Sequence, residues 1–179
     1  VDLLGTASML QSSRFELAEW RMADTSFKRP TPLPGQAVVW IIIAPPARKS
    51  IEIPPAERDL LNAAQGLIAE GQNVLLSVYP SLLHKVAQPD PWAKLVEAPG
   101  YSVDTSKVVF QNSVNAEGRT EAQRAIDVQD FDHEHPVGRA VDGQRAYFAL
   151  AMPVHALDGA PPGVDRRTIA AIEPVQEIW

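Results

Sequence analysis

Residues 38–43 read Val-Val-Trp-Ile-Ile-Ile, an unbroken apolar run rich in β-branched side chains, with Gly35 before it and Pro45-Pro46 after it. A run of that length and composition, bounded by chain breakers, predicts a strand covered on both faces, as in the middle of a parallel sheet. Apolar residues then recur at Leu60, Leu61, Ala64, Leu67 and Ile68, one face of a helix. Pro54-Pro55 suits the first helical turn, Glu57 complements its positive end, and Gly71 suits the position just past its last turn. Residues 74–78 form a second apolar run of strand length. Strand, helix and strand within residues 37–81 predict a βαβ unit: two neighbouring parallel strands with a right-handed crossover.

The remaining segments extend that pattern. Residues 1–6 read as a short first strand stopping at Gly5, residues 14–22 as either a strand or a short amphipathic helix, with the strand favoured, and residues 23–36 as a Pro-rich surface loop. Residues 82–98 predict two short helices separated by Gln88-Pro89-Asp90-Pro91. Residues 108–110 read as a strand, 112–129 as an exposed polar loop, 146–154 as a strand, 156–165 as a Gly/Pro loop and 168–173 as a last strand. Alternating strands and helices predict a three-layer α/β/α sandwich on a mostly parallel, flavodoxin-like sheet, formed as a single domain over residues 1–179.

Charge and composition remove several functions. The chain has a formal net charge of −6 and no basic stripe interleaved with aromatics, which argues against a nucleic-acid partner. It has no cysteine, hence no thiolate metal site and no cysteine nucleophile. It has neither a Gly-x-Gly-x-x-Gly nor a Walker pattern, so no phosphate-binding loop is expected. The first residue is Val1 and the last residues are Ile178-Trp179; the chain reads as a piece of a longer protein, which leaves room for membrane segments and targeting signals outside it.

Two stretches hold candidate chemistry. Asp132, His133 and His135 bring carboxylate and imidazole groups within four positions, a ligand set suited to zinc or another first-row metal; the alternative is a solvated loop before Pro136. Ser77 and Ser81 flank the end of the second central strand, where open α/β sheets gather their catalytic groups, with His84 nearby. A nucleophile elbow needs glycines beside its serine, and none stands next to either residue, so Ser77 reads as a strand residue and Ser81 as a helix cap. The basic pairs Arg48-Lys49 and Arg166-Arg167 read as solvated loop charges.

The order of AVVWIIIAPP, a Pro/Glu-started helix, IAEGQNVLLSVYPS, PGYSVDTSKVVFQ and DHEHPVGRAVDG resembles the soluble domain of GldG-type, gliding-motility-associated auxiliary proteins of ABC transporters. Glu70-Gly71-Gln72-Asn73 has one glycine where that family has two, and His135-Pro136-Val137 matches its His-Pro-(Ile/Val) loop. The resemblance implies a fold similar to class I glutamine amidotransferases, without their chemistry: Val78-Tyr79-Pro80 stands where the nucleophilic cysteine would be. It also implies membrane anchoring, placement on the extracytoplasmic (periplasmic) side, and permease or accessory subunits as partners. It assigns no catalytic residues and no cofactor. The resulting expectation is a non-catalytic module that recognises a partner subunit, a glycan or a small molecule through residues 45–53, 80–84 and 130–137. The alternative is a metal-dependent or Ser/His hydrolase on the same fold.

Overall fold

The computed structural model describes residues 3–13, 15–22, 28–46, 52–141, 143–159 and 161–172. Their order is α1 (Leu3–Ser12), β1 (Trp40–Ile43), α2 (Pro55–Ala69), β2 (Val74–Ser77), a 3₁₀ turn (Leu83–Val86), α3 (Pro91–Leu95), β3 (Tyr101–Val103), β4 (Gln111–Val114), β5 (Thr120–Gln123), β6 (Ala125–Val128), α4 (Pro136–Ala140), β7 (Ala146–Ala149) and β8 (Val154–Ala156). Residue contacts group into two compact units, Val1–Ile41 with Ile53–Leu75 and Ile42–Glu52 with Leu76–Trp179.

The expected βαβ unit is present. β1 and β2 form a two-stranded sheet. The Trp40 amide donates to the Asn73 carbonyl at 2.8 Å and the Ala44 amide to the Ser77 carbonyl at 2.9 Å. Both bonds advance by four residues along each strand, so the strands run parallel. α2 starts with Pro55 after Pro54 and stops where Gly71 takes φ +70°, a conformation that costs glycine nothing and L residues about 1–2 kcal/mol. Ala64 and Leu67 are its buried apolar residues; Glu57, in the first turn at the positive end of the helix, is also buried, at 7% exposure.

The three-layer α/β/α sandwich on a mostly parallel, flavodoxin-like or amidotransferase-like sheet is not the fold. The described strands form four two-stranded sheets, β1–β2, β3–β8, β4–β5 and β6–β7, and the last three are antiparallel. The reason lies in connection length. A parallel neighbour needs a crossover of a dozen or more residues, usually a helix. α2 has fifteen residues, whereas α3 and α4 have five each. Beyond β2 the described chain has no helix long enough to return it to the same end of a sheet. Nor is β1 covered on both faces: Val39 and Ile41 are 61% and 52% exposed, beside a buried Ile42.

Other expectations change for local reasons. Residues 3–6 are not a strand, and residues 1–2 of that expectation lie outside the described part; α1 runs through Gly5, because an interior glycine costs only about 1 kcal/mol and Ala7, Met9, Leu10 and Gln11 favour helix. Residues 15–22 form neither strand nor helix. The supposed polar loop at 112–129 holds β4, β5 and β6; the Asn115 side-chain oxygen accepts from the amides of Glu117 and Arg119 and so closes the β4–β5 hairpin. Residues 108–110 are not a strand, although the Val109 amide donates to Ala151 at 2.8 Å. The single strand expected over 146–154 is β7 and β8, separated at Leu150, which takes φ +57°. The last expected strand is reduced to one bridge, Phe131 to Ala170, and residues 173–179 lie outside the described part. The paired short helices around Pro89 are as expected, as the 3₁₀ turn and α3, the latter capped by the Asp90 carboxylate accepting from Trp92 at 2.8 Å.

In the second unit Ile126, Val128 and Phe131 form a buried cluster, with Val109, Val141 and Ile172 packed around it. Alternation along β6 turns Ile126 and Val128 to this core, each worth roughly 1.5–3 kcal/mol on burial. α4 approaches the same region so closely that a Cβ on Gly138 would lie 2.0 Å from the Asp132 carbonyl oxygen. Gly138→Ala is therefore expected to destabilise the chain by about 1–3 kcal/mol or more in chemical denaturation. Gly66→Ala, inside α2 with nothing within 4 Å of the added Cβ, is expected to stabilise by roughly 0.5–1 kcal/mol. Equal effects at the two glycines would contradict the packing of α4.

Candidate functional site

Asp132, His133 and His135 lie together in the turn before α4. The Asp132 amide donates to the Ile169 carbonyl at 2.7 Å, and its side chain accepts from the Glu134 amide at 2.9 Å. Arg167 closes the arrangement. Its Nη2 donates to Asp132 Oδ1 at 2.9 Å and to Glu134 Oε2 at 2.9 Å, and its Nε also meets the Asp132 carboxylate. His135 Nδ1 accepts the Val137 amide at 3.2 Å and caps α4, while His133 is exposed. Among the described residues no three His, Cys, Asp or Glu side chains are grouped as a metal site. Asp132 and His135 are engaged in holding the turn and starting the helix, and Arg167 is an ion-pair partner rather than a solvated loop charge.

The hydrogen bond from Arg167, opposed in part by desolvation, holds the Asp132 carboxyl below its ordinary value of 3.8. A group with a depressed folded-state pKa stabilises the fold at pH values above the ordinary one, and that contribution disappears as pH falls through the depressed midpoint. The Asp132 carboxyl carbon is expected to titrate below 3.8 in NMR, and Arg167→Ala to move the midpoint back up. A wild-type midpoint at or above 3.8 would refute the pairing.

Ser81 and His84 do not form a nucleophile–base pair. Ser81 Oγ accepts the Leu83 amide at 3.2 Å, and the His84 ring nitrogen Nδ1 contacts the Ser81 carbonyl oxygen at 2.9 Å rather than the hydroxyl. Ser77 is the exposed last residue of β2. At the carboxyl ends of the two parallel strands lies only a small space lined by Ala44, Pro45, Pro46, Tyr79, Pro80, Ser81, Asp90 and Trp92. Its volume of about 10 Å³ accommodates one water molecule. Residues 47–51 of the expected ligand loops lie outside the described part, and residues 130–137 do not line this cleft.

A larger pocket lies in the first unit, at residues that no sequence motif singled out. Trp40 of β1 meets Trp20 edge to face, with ring centroids 5.7 Å apart and planes at 62°. The Arg29 guanidinium sits 5.0 Å from the Trp40 ring centroid and 6.0 Å from that of Trp20. Its Nη1 donates to Glu70 Oε2 at 2.6 Å, just beyond the end of α2. This stack fixes one wall of a pocket of about 360 Å³ lined by Arg29, Pro30, Thr31, Pro32, Val38, Trp40 and Gln72. Val38 is tied to the end of the helix–strand connection by Asn73, whose side-chain amide donates to the Val38 carbonyl at 3.1 Å. A cavity of roughly 300–1,000 Å³ with apolar walls and a few converging polar groups is the usual form of a small-ligand site. Chain position offers no signal for it: Arg29 and Glu70 are 41 residues apart, and the Trp40 indole reaches Gln72 across 32.

Among the described residues, no helix is long and apolar enough to cross a membrane. Comparison with protein-family models, with curated proteins and with solved structures finds no match to this chain.

Proposed function

We propose that the chain is a non-catalytic binding module whose ligand is held in the Trp40 pocket. The observation behind this reading is the Trp20–Arg29–Trp40 stack. It holds Arg29 and Trp40, two residues that line an open, ligand-sized pocket, against the Trp20 ring and the Glu70 carboxylate. Holding rotamer-rich groups in place before binding lowers the entropy cost of capture, and an arginine pinned between rings and a carboxylate is such a group. Titration of the 15N-labelled chain with a small-molecule fragment set is expected to shift the signals of Arg29, Val38, Trp40 and Gln72. Shifts centred instead on Tyr79 to Asp90, or on Asp132 to His135, would move the site and reject the reading.

The proposed setting is an ABC transporter, with the module on the extracytoplasmic side beside permease or accessory subunits. What supports this is the order of sequence motifs alone, since the amidotransferase-like fold that accompanied the resemblance is not the one the chain adopts. Co-purification with permease subunits from native membranes tests it, and recovery without any transporter component counts against it.

A further inference from the structure

We infer that the Trp40 pocket takes a neutral saccharide, an assignment that rests on the binding-module reading above. The first argument is charge. Among the described residues, Arg29 is the one charged side chain lining the pocket, and Glu70 already pairs with it at 2.6 Å. An anionic ligand would have to displace that carboxylate, and would approach a chain whose net charge is −6. The pocket therefore selects an uncharged ligand.

The second argument is the mixture of hydrogen-bonding groups. Thr31 and Gln72 each offer a donor and an acceptor, and both are exposed at the mouth. The Trp40 indole N–H lies 3.5 Å from Gln72 Oε1, the outer limit of a hydrogen bond, so the exposed Gln72 side chain gains by turning to a closer partner and leaves the fixed indole N–H to a ligand acceptor. A hydroxyl gives and accepts, and vicinal hydroxyls match such a set. An extended proline peptide presents carbonyl acceptors only and would leave Gln72 Oε1 without a donor, which is costly once water is excluded.

The third argument is shape. Trp40, Pro30, Pro32 and Val38 supply apolar walls, and about 360 Å³ is at the small end of ligand sites, suited to one or two sugar rings. The C–H face of a pyranose carries slight positive charge and packs on the negative face of an indole. Trp20 and Arg29 keep that indole from moving.

The test is calorimetric titration of the whole chain with cellobiose, chitobiose, hexaproline and inorganic phosphate, following the Trp40 indole N–H by NMR in parallel. Saturable binding of a disaccharide with a Kd on the order of 1 mM is expected. Gln72→Ala, at an exposed position, should weaken it roughly five- to tenfold. Trp40→Ala should remove it. Disaccharide binding unchanged in both variants would overturn the assignment. Binding of hexaproline or phosphate without disaccharide binding would reject the saccharide and leave the binding-module reading standing. Failure of all four probes would count against both.

Discussion

The parallel pairing of β1 with β2 can be made only because α2 is long enough to bring the chain back to the end from which it left. Fifteen residues of α-helix cover roughly 22 Å, more than the length of either four-residue strand. Everything else in the described structure follows from that happening once. With α3 and α4 each limited to five residues, later strands pair antiparallel. Two-stranded ribbons are marginal by themselves, so these depend on what they pack against. For β6 and β7 that is the Ile126–Val128–Phe131 cluster.

Arginines supply much of the remaining long-range order. Arg167 reaches 35 residues back to Asp132, and Arg166 reaches 66 back to the Gly100 carbonyl at 2.9 Å while also donating to Leu157. The second contact ties the ends of the β3–β8 pair, with the guanidinium 6.0 Å from the Tyr101 ring. Arg29 does the same for its own unit through Glu70 and the two tryptophans. Exposed ion pairs contribute little each, about 0–1 kcal/mol, so their effect is to fix geometry more than to add stability. Geometry is what a binding site requires, and the pocket wall is built around one of them.

The acidic turn at 130–135 shows how a ligand-like motif resolves once neighbours are present. Asp132, His133 and His135 have the composition of a metal site, yet the Asp132 carboxylate accepts from Arg167 and a backbone amide, and His135 caps a helix. The His135-Pro136-Val137-Gly138 run has a local physical explanation: a cap, a first-turn proline and a residue without a Cβ where the helix meets the Asp132 carbonyl. Such a run can recur in unrelated folds, which is why the resemblance of motif order did not bring the fold with it.

Local signals in the sequence were sufficient for β1, α2 and β2, because periodicity, paired prolines and Gly71 act within a few residues of one another. The same holds for the breaker at Pro89 and the cap at Asp90. Number and pairing of the later strands were not legible: residues 112–129 have no clear apolar period, and their hairpin depends on the one Asn115 side-chain oxygen accepting from two amides. Nor could the pocket be read. Trp20, Arg29, Trp40, Glu70 and Gln72 belong to different segments and carry no shared spacing. The sequence by itself determined the one crossover helix and the breaks around it, at Pro54, Gly71 and Pro89, since those are decided by short-range sterics and hydrogen bonding. Tertiary structure alone decided which arginine meets which carboxylate, that one face of β1 stays open, and that two indoles clasp a guanidinium, because those contacts join residues tens of positions apart.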